Sequence, residues 1–133
     1  CGVVVVSLPE DMPATETIEL VGALRDELEL PVQHLVINAR LPPLFNQIER
    51  DALIEDEDLC EIARALSGGS EAGGHSAAVV TLAAAARRAA REQIQARNVE
   101  RLTDVLGIQT TVLPFLLDGA GTPEGADELS RKF

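Results

Sequence analysis

The hydrophobic pattern predicts three strands along the chain. Residues 3–6 are four consecutive valines, residues 32–38 have an apolar centre at 35–37, and residues 108–113 are followed by Pro114. The valine run is apolar on both faces, which is typical of an interior strand that helices cover on both sides of a parallel sheet. The sequence therefore predicts an α/β fold built on parallel strands.

Segments with helical spacing separate these strands. After Pro13, apolar residues recur on one helical face as far as Leu28, with Asp11 as the expected N-cap and Thr15 as the alternative. Three further helices are predicted at residues 46–66, 76–106 and 124–133. The resulting order, β-α-β-α-α-β-α, is expected to place helices on both faces of the sheet through right-handed crossovers.

The length of the chain suits one domain, so residues 1–133 are interpreted as a single domain. Residues 67–76 are rich in Gly and Ser, which predicts a flexible linker within a helical insertion, and residues 67–74 are expected to be mobile. A strand buried on both faces needs more neighbours than this pattern supplies. We therefore expect that an N-terminal part of the fold is absent from this polypeptide.

Composition and charge argue against several classes of function. The formal net charge of −11 repels phosphate backbones, and an aromatic content of 2% does not support a base-stacking surface, so no nucleic acid partner is expected. Cys1 and Cys60 form no CxxC motif, which argues against a zinc clip or a thioredoxin-type site. No apolar run reaches membrane-spanning length, and we expect a cytoplasmic protein without a transmembrane segment.

Candidate site residues stand where the first two strands end. Ligands of open α/β sheets bind at the carboxyl ends of the strands, which here are followed by Pro9 and Glu10 and by Asn38. The amide of Asn38 can donate and accept at once, although an Asx turn into Ala39 is an equally good interpretation. The sequence contains no GxxxxGK[ST] or GxGxxG motif, and neither histidine has the pattern of a catalytic triad.

Taken in order, these motifs resemble the C-terminal half of the ArsA-type anion-transporting ATPases, the family of the arsenite pumps and of the ATPases that target tail-anchored membrane proteins. The motifs are a strand VVVVSLPE, an ET pair that opens a helix, a strand PVQHLVIN, a variable helical insertion and a strand ending in LP. Each motif is short, but their order and spacing are fairly specific and cover nearly the whole chain. The resemblance implies the C-terminal part of a P-loop NTPase fold of the deviant Walker A class, which works as a nucleotide-gated dimer.

The resemblance also implies an adenine site. Asn38 matches the asparagine that contacts the base, and Pro114 and Phe115 match the loop that packs against it. Pro9 and Glu10 match the family pattern near the dimer-facing edge of the nucleotide site. No catalytic residue and no metal ligand is assigned to this chain.

Two residue pairs complete the resemblance. Glu16 and Thr17 match the same dimer-facing edge, and Arg91 and Gln95 match an Arg-x-x-x-Gln pattern in the helix before the last strand. The sequence also departs from the family: the zinc CxxC of some members is absent, and so are the cysteines needed to bind arsenite through three thiolates.

Phosphate chemistry belongs to the half of the family fold that this chain lacks. The P-loop, its lysines, the switch residues and the water-positioning aspartate all lie in that N-terminal half, so ATP with Mg²⁺ is expected to be hydrolysed only when it is present. The expected partners are that P-loop half, a second copy in a homodimer or pseudo-dimer, and a hydrophobic client protein. The alternatives are a non-catalytic interaction module that kept the fold, and an unrelated doubly wound domain such as a receiver.

Overall fold

The structure, a computed structural model, describes residues 2–67, 77–116 and 122–132. Within these ranges it contains three strands and five helices. They are β1 (Val3–Ser7), α1 (Asp11–Asp26), β2 (Val32–Arg40), α2 (Gln47–Glu55), α3 (Glu57–Ser67), α4 (Ala77–Leu106), β3 (Thr110–Pro114) and α5 (Pro123–Ser130). The α/β class is confirmed. The predicted linker at 67–76 lies outside the described residues, apart from Ser67 at the end of α3.

The three strands form one sheet with β2 in the centre. The order is β1-β2-β3, and both neighbouring pairs are parallel. Parallel neighbours need crossover connections, which α1 supplies between β1 and β2 and which α2, α3 and α4 supply between β2 and β3. The carboxyl ends of all three strands therefore lie at one edge of the sheet, as the sequence predicts.

The hydrophobic core lies between one face of the sheet and two helices. Its buried members are Val5, Leu35 and Ile37 from the strands, Ala14 and Val21 from α1, and Leu102 and Leu106 from α4. Burying a leucine or isoleucine side chain stabilises a fold by about 1.5–3 kcal/mol, so these contacts hold both helices against the sheet.

The burial of β1 differs from the sequence prediction. Val5 and Ser7 are buried, whereas Val4 and Val6 on the opposite face are 58% and 63% exposed. Within the described residues β1 is an edge strand that is covered on one face, so the prediction of an interior strand with helices on both faces is wrong there. A run of valines favours a strand, but it carries no polar position that would mark which face meets solvent.

Two predicted helix boundaries also need correction. Glu10, with extended backbone angles, is the N-cap of α1, and Asp11 is its first helical residue. The helix predicted at 46–66 is divided at Asp56, which has an extended conformation and accepts a hydrogen bond from the backbone N–H of Leu59 through Oδ1 at 3.0 Å. Asp56 lies within a run of acidic residues, so its capping role has no distinct sequence signal.

The described chain forms two compact units. The first, Cys1–Pro42 with Ile94–Phe133, contains the sheet, α1 and the C-terminal part of α4. The second, Pro43–Gln93, contains α2, α3 and the N-terminal part of α4. The interpretation of residues 1–133 as a single domain stays a prediction. In the described ranges, no helix has the length and apolar character that crossing a membrane requires.

Candidate functional site

The carboxyl edge of the sheet contains a β-bulge in the central strand. Ile37 is paired with Val112 and Arg40 with Pro114, so β2 has one residue more than β3 over this interval. Ala39 within it has a φ of 58°, a left-handed conformation that is uncommon outside glycine. Bulges of this kind re-aim neighbouring side chains and are frequent beside active sites.

Asn38 lies beside this bulge, within β2 and not at its last residue. Its side chain is exposed, and its Oδ1 accepts a hydrogen bond from the backbone N–H of Ala39 at 2.9 Å. This bond is to the next residue along the chain, whereas an Asx turn uses the N–H two residues on, so the alternative of an Asx turn stays a prediction. An amide oxygen has two lone pairs, so Oδ1 keeps capacity for a second donor. A ligand contact at Asn38 stays a prediction.

Pro114 ends β3 opposite Arg40, two residues after Asn38 in β2, and Phe115 follows it. The backbone N–H of Phe115 donates to the carbonyl oxygen of Arg40 at 2.8 Å, which extends the pairing of β2 and β3 beyond the bulge. The Phe115 side chain is 44% exposed. Three of the five predicted site residues therefore share one strip of the carboxyl edge.

Pro9 and Glu10 lie one strand away, in the turn after β1. Pro9 is fully buried, whereas Glu10 is half-buried and makes no side-chain capping bond at the start of α1. Instead, Glu10 Oε1 accepts a hydrogen bond from Nε2 of Gln95 at 3.1 Å. In this turn, Pro9 therefore contributes to packing, and Glu10 provides the polar side chain.

An open groove of about 310 Å³ runs beside the same turn. Ser7 and Thr17 are buried in it, and Thr17 Oγ1 donates to Ser7 Oγ at 2.7 Å. The other lining residues are Val6, Leu8, Pro13, Glu16 and Leu20. The two members of the predicted Glu16–Thr17 pair thus differ in environment, since Glu16 is exposed and Thr17 is buried.

Polar residues on α4 hold this edge of the sheet in place, and the sequence analysis missed most of them. Gln95 and Asn98 are each 1% exposed. Gln95 Oε1 accepts from the backbone N–H of Leu41 at 2.8 Å, and Asn98 Nδ2 donates to Asp11 Oδ1 at 2.9 Å. The Asn98 bond and a further bond from Arg97 hold the pKa of Asp11 below its usual value, against a small opposing effect of desolvation.

A sequence signal for these residues exists in the spacing of α4. Its buried positions recur every three residues, first as the alanines 83, 86 and 89 and then as Glu92, Gln95 and Asn98. Residues three apart share a helix face, so this polar run continues the apolar stripe. Buried polar groups need hydrogen-bond partners, which makes such a run a marker of specific contacts.

Glu92 belongs to the second compact unit and binds the backbone of Leu44 in the same unit. Its Oε1 accepts from Arg88 Nε at 2.8 Å and from the backbone N–H of Leu44 at 3.0 Å. Burial opposes ionisation, but the Arg88 bond and the backbone donors of Leu44 and Phe45 outweigh it and lower the pKa of Glu92. Within the described ranges, the buried Oε2 atom has no hydrogen-bond partner.

In the described part of the chain, no group of three or more His, Cys, Asp or Glu side chains is placed to hold a metal ion.

Two further residues named in the sequence analysis can be placed. Arg91 is exposed on α4, so it does not share the buried environment of Gln95. Cys60 is a half-buried free thiol whose Sγ donates to the carbonyl oxygen of Ile54 at 3.3 Å.

In residues 2–67, 77–116 and 122–132, the fold and this edge define an α/β protein with a three-stranded parallel sheet and a polar carboxyl edge. A scan against protein-family models gave no match, and neither did a search of curated proteins. The support for a function therefore comes from the sequence motifs and from the positions of their residues at the carboxyl edge.

Proposed function

We propose that this chain is the adenine-nucleotide-binding part of an ArsA-type anion-transporting ATPase, which hydrolyses ATP only together with a P-loop half. One observation carries the proposal. The β-bulge and the bond from Phe115 N–H to the Arg40 carbonyl bring Asn38, Pro114 and Phe115 to one strip of the carboxyl edge. This is the edge at which ligands of open α/β sheets bind.

The chemistry of this strip suits a purine base. The exposed Phe115 ring and Pro114 offer an apolar surface, and stacking of a base on an aromatic ring contributes about 1–3 kcal/mol. The Asn38 amide can accept from the exocyclic amine of adenine and donate to a ring nitrogen. The residues present therefore fit the base end of ATP.

The phosphate end and its Mg²⁺ need a partner. The sequence has no P-loop motif whose backbone N–H groups and lysine could hold phosphates. The exposed face of β1 supports a docking position for a P-loop half, since Val4 and Val6 form an apolar surface at the edge of the described sheet. Dimerisation, a hydrophobic client and a cytoplasmic location belong to the same proposal.

Reconstitution of ATP hydrolysis tests this function. The purified chain should show no Mg²⁺-dependent hydrolysis above a buffer control, and addition of the P-loop half should produce it. Hydrolysis by the chain alone contradicts the proposal. A stable complex of the two halves that neither binds nor hydrolyses ATP contradicts it as well.

The second candidate function is a non-catalytic interaction module. It is favoured by the contact of Asn38 Oδ1 with Ala39, which gives the asparagine a structural role, and by the exposed valines of β1. This candidate would be selected if the complex with the P-loop half forms normally but nucleotide does not bind at Asn38, Pro114 and Phe115.

A further inference from the structure

Gln95 of α4 has a side chain that contacts both the turn after β1 and the segment after β2. Its Oε1 accepts from the backbone N–H of Leu41 at 2.8 Å, and its Nε2 donates to Glu10 Oε1 at 3.1 Å. Both ends of one buried amide are thus engaged, and the two partners belong to segments far apart in sequence. Such an amide fixes the spacing between its partners because it is buried, at 1% exposure, and both of its ends are hydrogen-bonded.

The bond to Leu41 connects Gln95 to the proposed base site. Leu41 follows Arg40, whose carbonyl oxygen accepts the N–H of Phe115. Arg40 also closes the β-bulge that contains Ala39. A shift of the Leu41 backbone would therefore move the peptide group that places Phe115.

The bond to Glu10 connects Gln95 to the turn after β1. Glu10 is the N-cap of α1, and its carboxylate is held by Gln95 instead of capping the helix. Asn98 secures the same turn through Asp11, but the bonds of Asn98 do not extend to the segment after β2. Asn98 therefore provides a matched control on the same buried face of α4.

We propose that Gln95 is a positioning residue, whose amide holds the segment after β2 and the turn after β1 at one fixed spacing. The ligand part of this inference rests on the proposed function. In the nucleotide site, Gln95 keeps Phe115, which offers the surface for adenine, at a fixed distance from Glu10. Gln95 acts through Leu41 and Glu10 and does not itself contact the base.

Three variants separate this role from general packing. Gln95→Met keeps the approximate volume and removes both bonds. Gln95→Glu keeps an acceptor for the Leu41 N–H but replaces the donor that faces Glu10 with a second acceptor. Asn98→Leu removes a bond of the same type at the same burial, with no connection to Leu41.

The first measurement is amide hydrogen exchange and amide chemical shift of the chain without any ligand. Gln95→Met should accelerate exchange at Leu41 and Phe115 by about fivefold to tenfold, the factor expected for one lost hydrogen bond. Gln95→Glu should shift the amides of Glu10 and Asp11 and leave the exchange of Leu41 slow. Asn98→Leu should leave Leu41 and Phe115 unchanged.

Two results would overturn the positioning role. One is unchanged exchange at Leu41 and Phe115 in Gln95→Met; the other is equal acceleration at both amides in Asn98→Leu. If Gln95→Met does not fold, Gln95→Glu decides, and unchanged amide shifts at Glu10 and Asp11 in that variant would overturn the role.

The second measurement tests the ligand part with adenosine, which presents the base and ribose without phosphates. Millimolar adenosine should shift the amides of Asn38 and Phe115 in the wild-type chain, with an affinity about fivefold lower in Gln95→Met and unchanged in Asn98→Leu. Equal affinity in wild type and Gln95→Met overturns the ligand part. No shift in the wild-type chain counts against the proposed base site, and the exchange result then decides the positioning role separately.

Discussion

The conformation of Ala39 shapes the candidate site at the scale of single residues. A φ of 58° costs an L-amino acid about 1–2 kcal/mol, and here it occurs beside Asn38 in the central strand. The Asn38 side chain accepts the N–H of Ala39, and the Arg40 carbonyl accepts that of Phe115. Strained backbone of this kind persists when surrounding bonds over-determine it, and it is concentrated at ligand sites.

Substitution of Ala39 tests this conformation. Ala39→Gly should leave the free energy of unfolding unchanged or raise it by up to about 1 kcal/mol, because glycine adopts positive φ without steric cost. Ala39→Val should lower it by about 1–2 kcal/mol, because a β-branched side chain is poorly tolerated there. Urea unfolding measures both, and Ala84→Val at an exposed helical position is the control. Equal stability of the glycine and valine variants would contradict the assignment.

The buried carboxylate of Glu92 gives a prediction with a defined pH dependence. Because the pKa of Glu92 is lowered in the folded state, its contribution to stability is complete above the pKa of an unfolded glutamate. The contribution is lost as the pH falls through the lowered pKa of the folded state.

Glu92→Gln should therefore cost about 1–3 kcal/mol at neutral pH, and the difference from wild type should shrink at an acidic pH below the pKa of an unfolded glutamate. Urea unfolding at both pH values is the measurement. Glu100→Gln, at an exposed position of the same helix, should have little effect at either pH. A cost of Glu92→Gln that stays constant from neutral to acidic pH would show that the carboxylate charge is not involved.

At the scale of secondary-structure elements, the sequence predicted much of what periodicity can reveal. The valine run, the apolar centre of β2 and the helical composition of α4 each located an element. The burial of the two faces of β1 was mispredicted because the neighbouring strands and helices determine it. A run of four valines contains no information about those neighbours. The break at Asp56 and the bulge at Ala39 escaped because each depends on the backbone angles of one residue, which no periodic pattern encodes.

The candidate site was predictable to a different extent. Asn38 could be chosen because the end of an apolar strand is visible in the hydrophobic pattern, whereas Pro114 and Phe115 were chosen through the family resemblance. The parallel pairing of β2 and β3 then places all three at the same edge of the sheet. The contacts of Gln95 could not be predicted, since its partners lie 54 and 85 residues away along the chain. Only the fold brings such partners together.

The exposed face of β1 gives a prediction about association. Val6→Lys should leave the chain folded, because this side chain is 63% exposed, and should weaken binding of the P-loop half by at least about tenfold through an unpaired charge in the interface. Val105→Lys, at a similarly exposed position on α4, should bind normally. Calorimetry measures the affinity. Equal binding by Val6→Lys and wild type would place the interface elsewhere.

At the scale of the whole molecule, our proposal assigns the base to this chain and the phosphates to a partner half, and the charge of the chain supports that assignment. A formal net charge of −11 is unfavourable for holding a triphosphate without lysines and Mg²⁺, whereas a neutral base needs only an apolar surface and an amide. In our proposal the chain supplies Phe115 and Asn38 for the base end. In our proposal the partner half supplies the phosphate chemistry, and the nucleotide binds where the two halves meet.

The most direct test of this account is the affinity of Asn38→Asp for nucleotides in the protein completed by its P-loop half. An ionised aspartate keeps the shape of the asparagine but cannot donate to the adenine ring. Calorimetry should show ATP affinity reduced by about tenfold to a hundredfold, with weaker discrimination against GTP, because guanine presents a carbonyl where adenine presents an amine. Unchanged affinity for both nucleotides would show that Asn38 serves only the turn at Ala39, and it would contradict the adenine site.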